Sequence, residues 1–255
     1  MADQWYLSFD CATKTFAFSL SRISGALDRR AENSSAGHLE ALAARLAAAE
    51  ELHRRAAAAV AAADSRAAAP LLSALQPAVA TLRTEIGRLI EIADGGVVDL
   101  APGRADADVS TVERIRALAV YLATRVRPAL ARCGDEPWVV LIEYQMGPNA
   151  RARAIAAALV ALFADATVYF VGPSLKNRVR VAPGLEYGVF ARRYANTYGA
   201  NKAHAARSFA AVEAAYGSGV GATTPALRGH IADSFMQVLG HLRFGLSNEL
   251  AAGAF

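Results

Sequence analysis

A chain of 255 residues, 54% of them hydrophobic, can bury a proper core, and its length suits one domain with an insertion better than two full domains. With 27 basic and 23 acidic side chains the net charge is +4, which permits a polyanionic partner without demanding one. No apolar run reaches the ~18 residues of a membrane span, and the first ten residues lack the layout of a signal peptide, so a soluble protein kept inside a cell is expected.

Trp5-Tyr6-Leu7-Ser8-Phe9-Asp10 is a β-rich run, and Thr15 to Ser21 alternates apolar with small polar residues. With Cys11 to Lys14 between them they predict an antiparallel hairpin. Cys11 and Cys133 have no metal-ligand spacing and read as reduced thiols. From about Leu27 the character changes. Leu39, Leu42, Leu46, Ala49, His53 and Val60 approximate a three-four repeat broken at Pro70, and Leu72, Leu75, Val79, Leu82, Ile86 and Leu89 keep it more cleanly. This pattern predicts two long helices folded as a hairpin, inserted over residues 28–94.

After Gly95-Gly96, Val97 to Leu100 is the predicted third strand, and Ser110 or Thr111 caps a helix running to Cys133. Trp138-Val139-Val140-Leu141-Ile142-Glu143 is a near-continuous apolar run ending in an acid, as a strand buried on both faces reads. A helix over 150–163, a β-branched strand over Thr167 to Val171 and a helix over Asn201 to Tyr216 follow. Gly217 to Ala222 reads as a flexible break, and Thr224-Pro225 starts a last helix. Antiparallel strands followed by parallel strand-helix units give an α/β fold, with a mixed sheet and helices on both faces. The sheet domain takes residues 1–27 and 95–255.

Acids at strand ends carry the chemistry. Asp10 and Glu143 end two strands which, if parallel neighbours, present both carboxylates at one carboxyl edge of the sheet. His230 and Asp233 share a face of the final helix by their i, i+3 spacing. Three hard carboxylate donors and one imidazole suit Mg²⁺ or Mn²⁺. Two such ions about 4 Å apart serve phosphodiester hydrolysis. Arg151, Arg153, Arg178, Arg180, Arg192 and Arg193 form basic clusters in the same half, able to neutralise phosphates. His38, His53, His204 and His241 read as ordinary surface or half-buried histidines.

The stretch Leu7 to Phe18, with Asp10 ending a strand, a small residue pair, Lys14 and an aromatic-rich second strand, resembles the opening motif of Holliday-junction resolvases of the RuvC and poxvirus type, including those of large DNA viruses. Leu141-Ile142-Glu143-Tyr144-Gln145 before Pro148-Asn149 is similar to their central motif, and Gly229 to Phe235 to their terminal helix. The resemblance covers roughly residues 5–27 and 95–245. It implies an RNase H-like five-stranded mixed sheet, with Asp10, Glu143, His230 and Asp233 as catalytic metal ligands for two Mg²⁺ or Mn²⁺ ions. It also implies Lys176 and Lys202 beside the scissile phosphate. The implied substrate is a four-way DNA junction, held by a homodimer through Lys14, Arg151, Arg153, Lys176, Arg178, Arg180 and Lys202, with no membrane and no small-molecule substrate. His230 departs from the commoner aspartate, which lowers the negative charge of the set.

Three other readings compete. One is an RNase H-like nuclease of different substrate, which the carboxylates alone do not separate. An actin-like ATPase fits poorly, because the chain is short for two lobes and Ala12 stands where glycine is expected. The third is a DNA-binding scaffold that has lost catalysis through His230.

Overall fold

The computed structural model describes residues 3–24, 48, 51–55, 57–58, 68–87, 89–136, 138–144, 149–179, 181, 184–216, 218–221 and 223–244. Strand β1 (Gln4–Cys11) turns tightly into β2 (Thr15–Ile23), antiparallel from Gln4 opposite Ile23 to Cys11 opposite Phe16. β3 (Ile90–Asp99) pairs antiparallel with β2, with a register shift between Leu20 and Ser21. β4 (Trp138–Glu143) lies parallel to β1, and β5 (Thr167–Val171) lies parallel to β4. The spatial order is β3-β2-β1-β4-β5. The sheet is thus mixed and five-stranded, with α/β connections, as the sequence predicts.

Strand alternation divides the core into two layers. Leu7, Phe9, Phe16, Phe18, Val140 and Ile142 point to one face and pack with Leu118, Leu122, Ile155 and Leu159. These come from α2 (Thr111–Tyr121), its continuation through a π-helical turn over Leu122–Val126, and α3 (Ala150–Leu162). Tyr6, Ile92, Val139 and Leu141 point to the other face, against Phe209, Ile231, Phe235 and Leu239. Those residues lie on α5 (Thr197–Tyr216) and α6 (Pro225–Phe244). Small Ser8, Ser19 and Ser21 face this second layer, all fully buried, and Ser8 donates to Gln237 Oε1 at 3.1 Å. As predicted, Ser110 caps α2, in a reciprocal pair with Glu113, and Thr224 Oγ1 accepts from Leu227 N at 3.4 Å.

Several expectations are corrected. β3 begins at Ile90, so Ile90 to Asp94 belong to the sheet and the predicted boundary at residue 94 falls inside a strand. Gly95-Gly96 reads as a breaker but sits within β3, where the chain is squeezed from both sides. A Cβ on Gly95 would lie 2.8 Å from Ile231 Cγ2, and one on Gly96 2.4 Å from the Tyr121 hydroxyl. Of the predicted helical hairpin, residues 51–55 are helical and α1 (Ala68–Gly87) is a helix that tolerates Pro77, while residues 28–47, 49–50, 56, 59–67 and 88 lie outside the described residues. Leu89, predicted as the last helical position, is non-helical, and its carbonyl accepts from Ser24 N at 2.9 Å. The segment after α5 is docked: Gly219 N donates to Ile92 O at 2.7 Å and Val220 is buried.

The helix predicted from Asn201 begins at Thr197, and a short helix α4 (Tyr187–Arg193) precedes it. His204 and His241 are both buried, and His204 stands edge-on to Tyr187 and Phe190. Cys11 and Cys133 are free and buried. Among the described residues no helix is long and apolar enough to cross a membrane.

Candidate functional site

Five elements deliver charged side chains to one place at the carboxyl edge of β1 and β4. Phe9 pairs with Ile142 across the two parallel strands, so Asp10 and Glu143 are the next residue of each. Alternation turns both toward the α6 face, and both are buried. The 3₁₀ turn Lys176–Arg178 after β5 inserts Lys176, whose Nζ lies 3.0 Å from Glu143 Oε1 and 3.0 Å from Asp233 Oδ1. From α5, Lys202 makes a close ion pair with Asp233 Oδ2 and stands 3.8 Å from Asp10 Oδ2. From α6, Asp233 is buried between the two ammonium groups, and His230 Nδ1 lies 3.3 Å from Asp10 Oδ2 and 3.4 Å from Lys202 Nζ. All six residues singled out in the sequence as catalytic therefore meet.

The electrostatics follow from three buried acids facing buried Lys176 and partly exposed Lys202. Burial pushes the Asp10 carboxyl up, but the His230 hydrogen bond and the Lys202 and Lys176 charges outweigh it and hold Asp10 at about 2. Glu143 goes the other way. Burial raises it, Lys176 opposes that, and the adjacent Asp10 carboxylate adds to the rise, leaving it at about 7. Two neighbouring carboxylates with pKa values driven apart share one proton near neutrality. Burial lowers Lys176 and Lys202, but the facing carboxylates more than compensate, so both ammonium groups stay charged. Cys11 is no nucleophile for this site: burial and the two acids push its thiol well above the ordinary range.

The donors suit a hard divalent cation in kind, being three carboxylates and one imidazole. Asp233 Oδ1 is buried and, despite its ion-pair distance to Lys176, receives no aligned hydrogen bond, so one oxygen of the set retains unused capacity. Among the described residues no three His, Cys, Asp or Glu side chains already form a cage for a metal ion. Between the acids stand the lysine ammonium groups, which supply the positive charge that the carboxylates require.

The remaining predicted contacts are dispersed around this centre. Lys14 is exposed in the β1–β2 turn. Arg151 reaches across to Asp106, 3.0 Å from its carbonyl and 3.5 Å from its carboxylate. Arg153 and Arg178 are exposed, as are Arg192 and Arg193 at the end of α4, and Arg180 lies outside the described residues.

Sequence reasoning missed Arg114. Its guanidinium is fully buried, donates to Val109 O at 3.2 Å and pairs with Asp106 Oδ1 at 3.0 Å. It also donates closely to the carbonyls of Asp106 and Thr13, which fixes the turn directly behind Asp10. Its signal was obscured because an arginine on a predicted helix reads as surface.

No family model matches this sequence, and no curated protein matches it. Among solved structures the chain is similar to T. thermophilus RuvC, determined in complex with a Holliday-junction substrate. The identity is 12%, 94% of each chain is covered and the TM-score is 0.44.

Proposed function

We propose that this protein is a divalent-metal-dependent endonuclease that cuts branched DNA, of the kind that resolves four-way junctions. The observation that carries the reading is the meeting of Asp10, Glu143 and Asp233, three buried carboxylates from three separate elements, with two lysines at the carboxyl edge of the sheet. A buried acid cluster held by long-range packing is costly, and hydrolysis of a phosphodiester is a chemistry that needs one.

In this reading Asp10, Glu143, Asp233 and His230 would hold Mg²⁺ or Mn²⁺, two ions per site. Bound there, such ions would supply Lewis acidity for phosphodiester hydrolysis. Glu143 would have to be deprotonated to serve as a ligand. Lys202, half-exposed at the rim, meets the incoming phosphate, while Lys176 offsets charge between Glu143 and Asp233. Lys14, Arg153 and Arg178 extend the contact along the DNA backbone. Symmetric cuts in a junction require two sites, so the active species is a two-fold dimer.

Asp10→Asn and Glu143→Gln are each expected to lower Mn²⁺-dependent cleavage of a labelled four-way junction by about a hundredfold or more, while leaving junction binding in EDTA intact. Undiminished cleavage by both variants overturns the site. Sedimentation of the junction-bound protein as a monomer overturns the dimer.

A further inference from the structure

The rim of the site carries an aromatic surface for which the carboxylate cluster has no use. Tyr198, on the first turn of α5, is 69% exposed, although a tyrosine ring ordinarily covers much of its apolar area. One helical turn later on the same face is Lys202, whose Nζ lies 5.9 Å from the centre of the Tyr198 ring. That same ammonium stands 3.8 Å from Asp10 Oδ2. The ring is thus connected to the acids through a single side chain.

A second tyrosine marks the same corner. Tyr194, between α4 and α5, is 45% exposed, and its ring borders Gly199, where an added Cβ would come within 3.1 Å of it. Arg192 and Arg193, both exposed, end α4 immediately before it. Exposed aromatics interleaved with cations fit an unpaired nucleic-acid strand. Cations take the phosphates and a ring takes a base face, whatever the base.

We propose that Tyr198 is a stacking platform for an unpaired base next to the phosphate held at the Asp10–Lys202 rim, with Arg192 and Arg193 contacting the backbone of that strand. The proposal rests on the nucleic-acid reading above and adds a specific demand: the substrate presents an unstacked nucleotide beside the site. A fully paired duplex cannot satisfy this demand, whereas the exchange point of a branched DNA can.

The test compares a fluorescein-labelled oligo-dT strand with an abasic strand of equal length by anisotropy, in EDTA, for wild type, Tyr198→Phe and Tyr198→Ala. Wild type and Tyr198→Phe are expected to bind oligo-dT more tightly than the abasic strand. Tyr198→Ala is expected to lose roughly tenfold on oligo-dT and nothing on the abasic strand. Because the side chain is exposed, the variant should keep the wild-type circular dichroism spectrum. Equal loss on both strands, or no loss on either, overturns the stacking role, and if wild type still binds a four-way junction the proposed function is untouched. Wild type that binds neither the strands nor the junction overturns both.

Discussion

The shared proton between Asp10 and Glu143 makes the stability of the metal-free protein depend on pH in two opposite ways. Glu143 sits at about 7 against an ordinary value of 4.5, so the folded state keeps a proton that the unfolded chain has released. Its contribution is therefore favourable below 4.5 and is lost as pH rises through about 7. Asp10 sits at about 2 against 3.8, so its contribution is present above 3.8 and is lost as pH falls toward 2. In EDTA, urea denaturation should show stability falling by on the order of 2 kcal/mol between pH 5 and 8. Glu143→Gln should remove that fall and leave the acid limb in place. An unchanged slope in the variant means the proton resides elsewhere. The acids were legible in the sequence because a carboxylate after five apolar residues has few harmless explanations. Tyr198 and Arg114 were not. A tyrosine and an arginine on predicted helices carry no sign of whether they face water or a neighbour.

At the level of elements, hydrophobic periodicity located β1, β2, β4, β5 and the last helix, whose apolar residues are paired with strong end signals. It failed where glycine was involved. Gly95-Gly96 and Gly217 to Ala222 both read as interruptions, since glycine in sequence does not distinguish a flexible joint from a point of close approach. Gly219 is the sharper case: an added Cβ would lie 2.2 Å from Ala93 O, in backbone that β3 cannot easily move. Gly219→Ala should therefore destabilise the protein by about 2 kcal/mol, although the same change in a flexible loop would be neutral or slightly stabilising. A denaturation midpoint equal to wild type would show that this segment yields. The expected damage extends to the site, because β3 and α6 share the packing layer that positions Asp233.

For the whole molecule, the ends of the long excursion between β2 and β3 are the telling feature. Ile23 pairs with Ile90, and the next residues outward, Ser24 and Leu89, are hydrogen-bonded. Residues 25–88 thus leave and re-enter the sheet at one point, as an insertion tolerated by the fold would do. Replacing them with a four-residue Gly-Ser turn should leave the sheet domain folded by near-ultraviolet circular dichroism. The shorter loop returns about 2 kcal/mol of closure entropy, offset by the packing lost when α1, with its buried Val79, is removed. A molten or unfolded product would make the excursion part of the core. The same junction bears on the rate of folding. Adjacent antiparallel strands ordinarily zip within microseconds because their turn is short. Here β2 and β3 find each other only after more than sixty intervening residues have been drawn into a ring, so a local pairing has acquired the contact order of a distant one. Excision should consequently accelerate refolding more than it slows unfolding. Stopped-flow chevrons of the two proteins would then separate mainly along the folding limb.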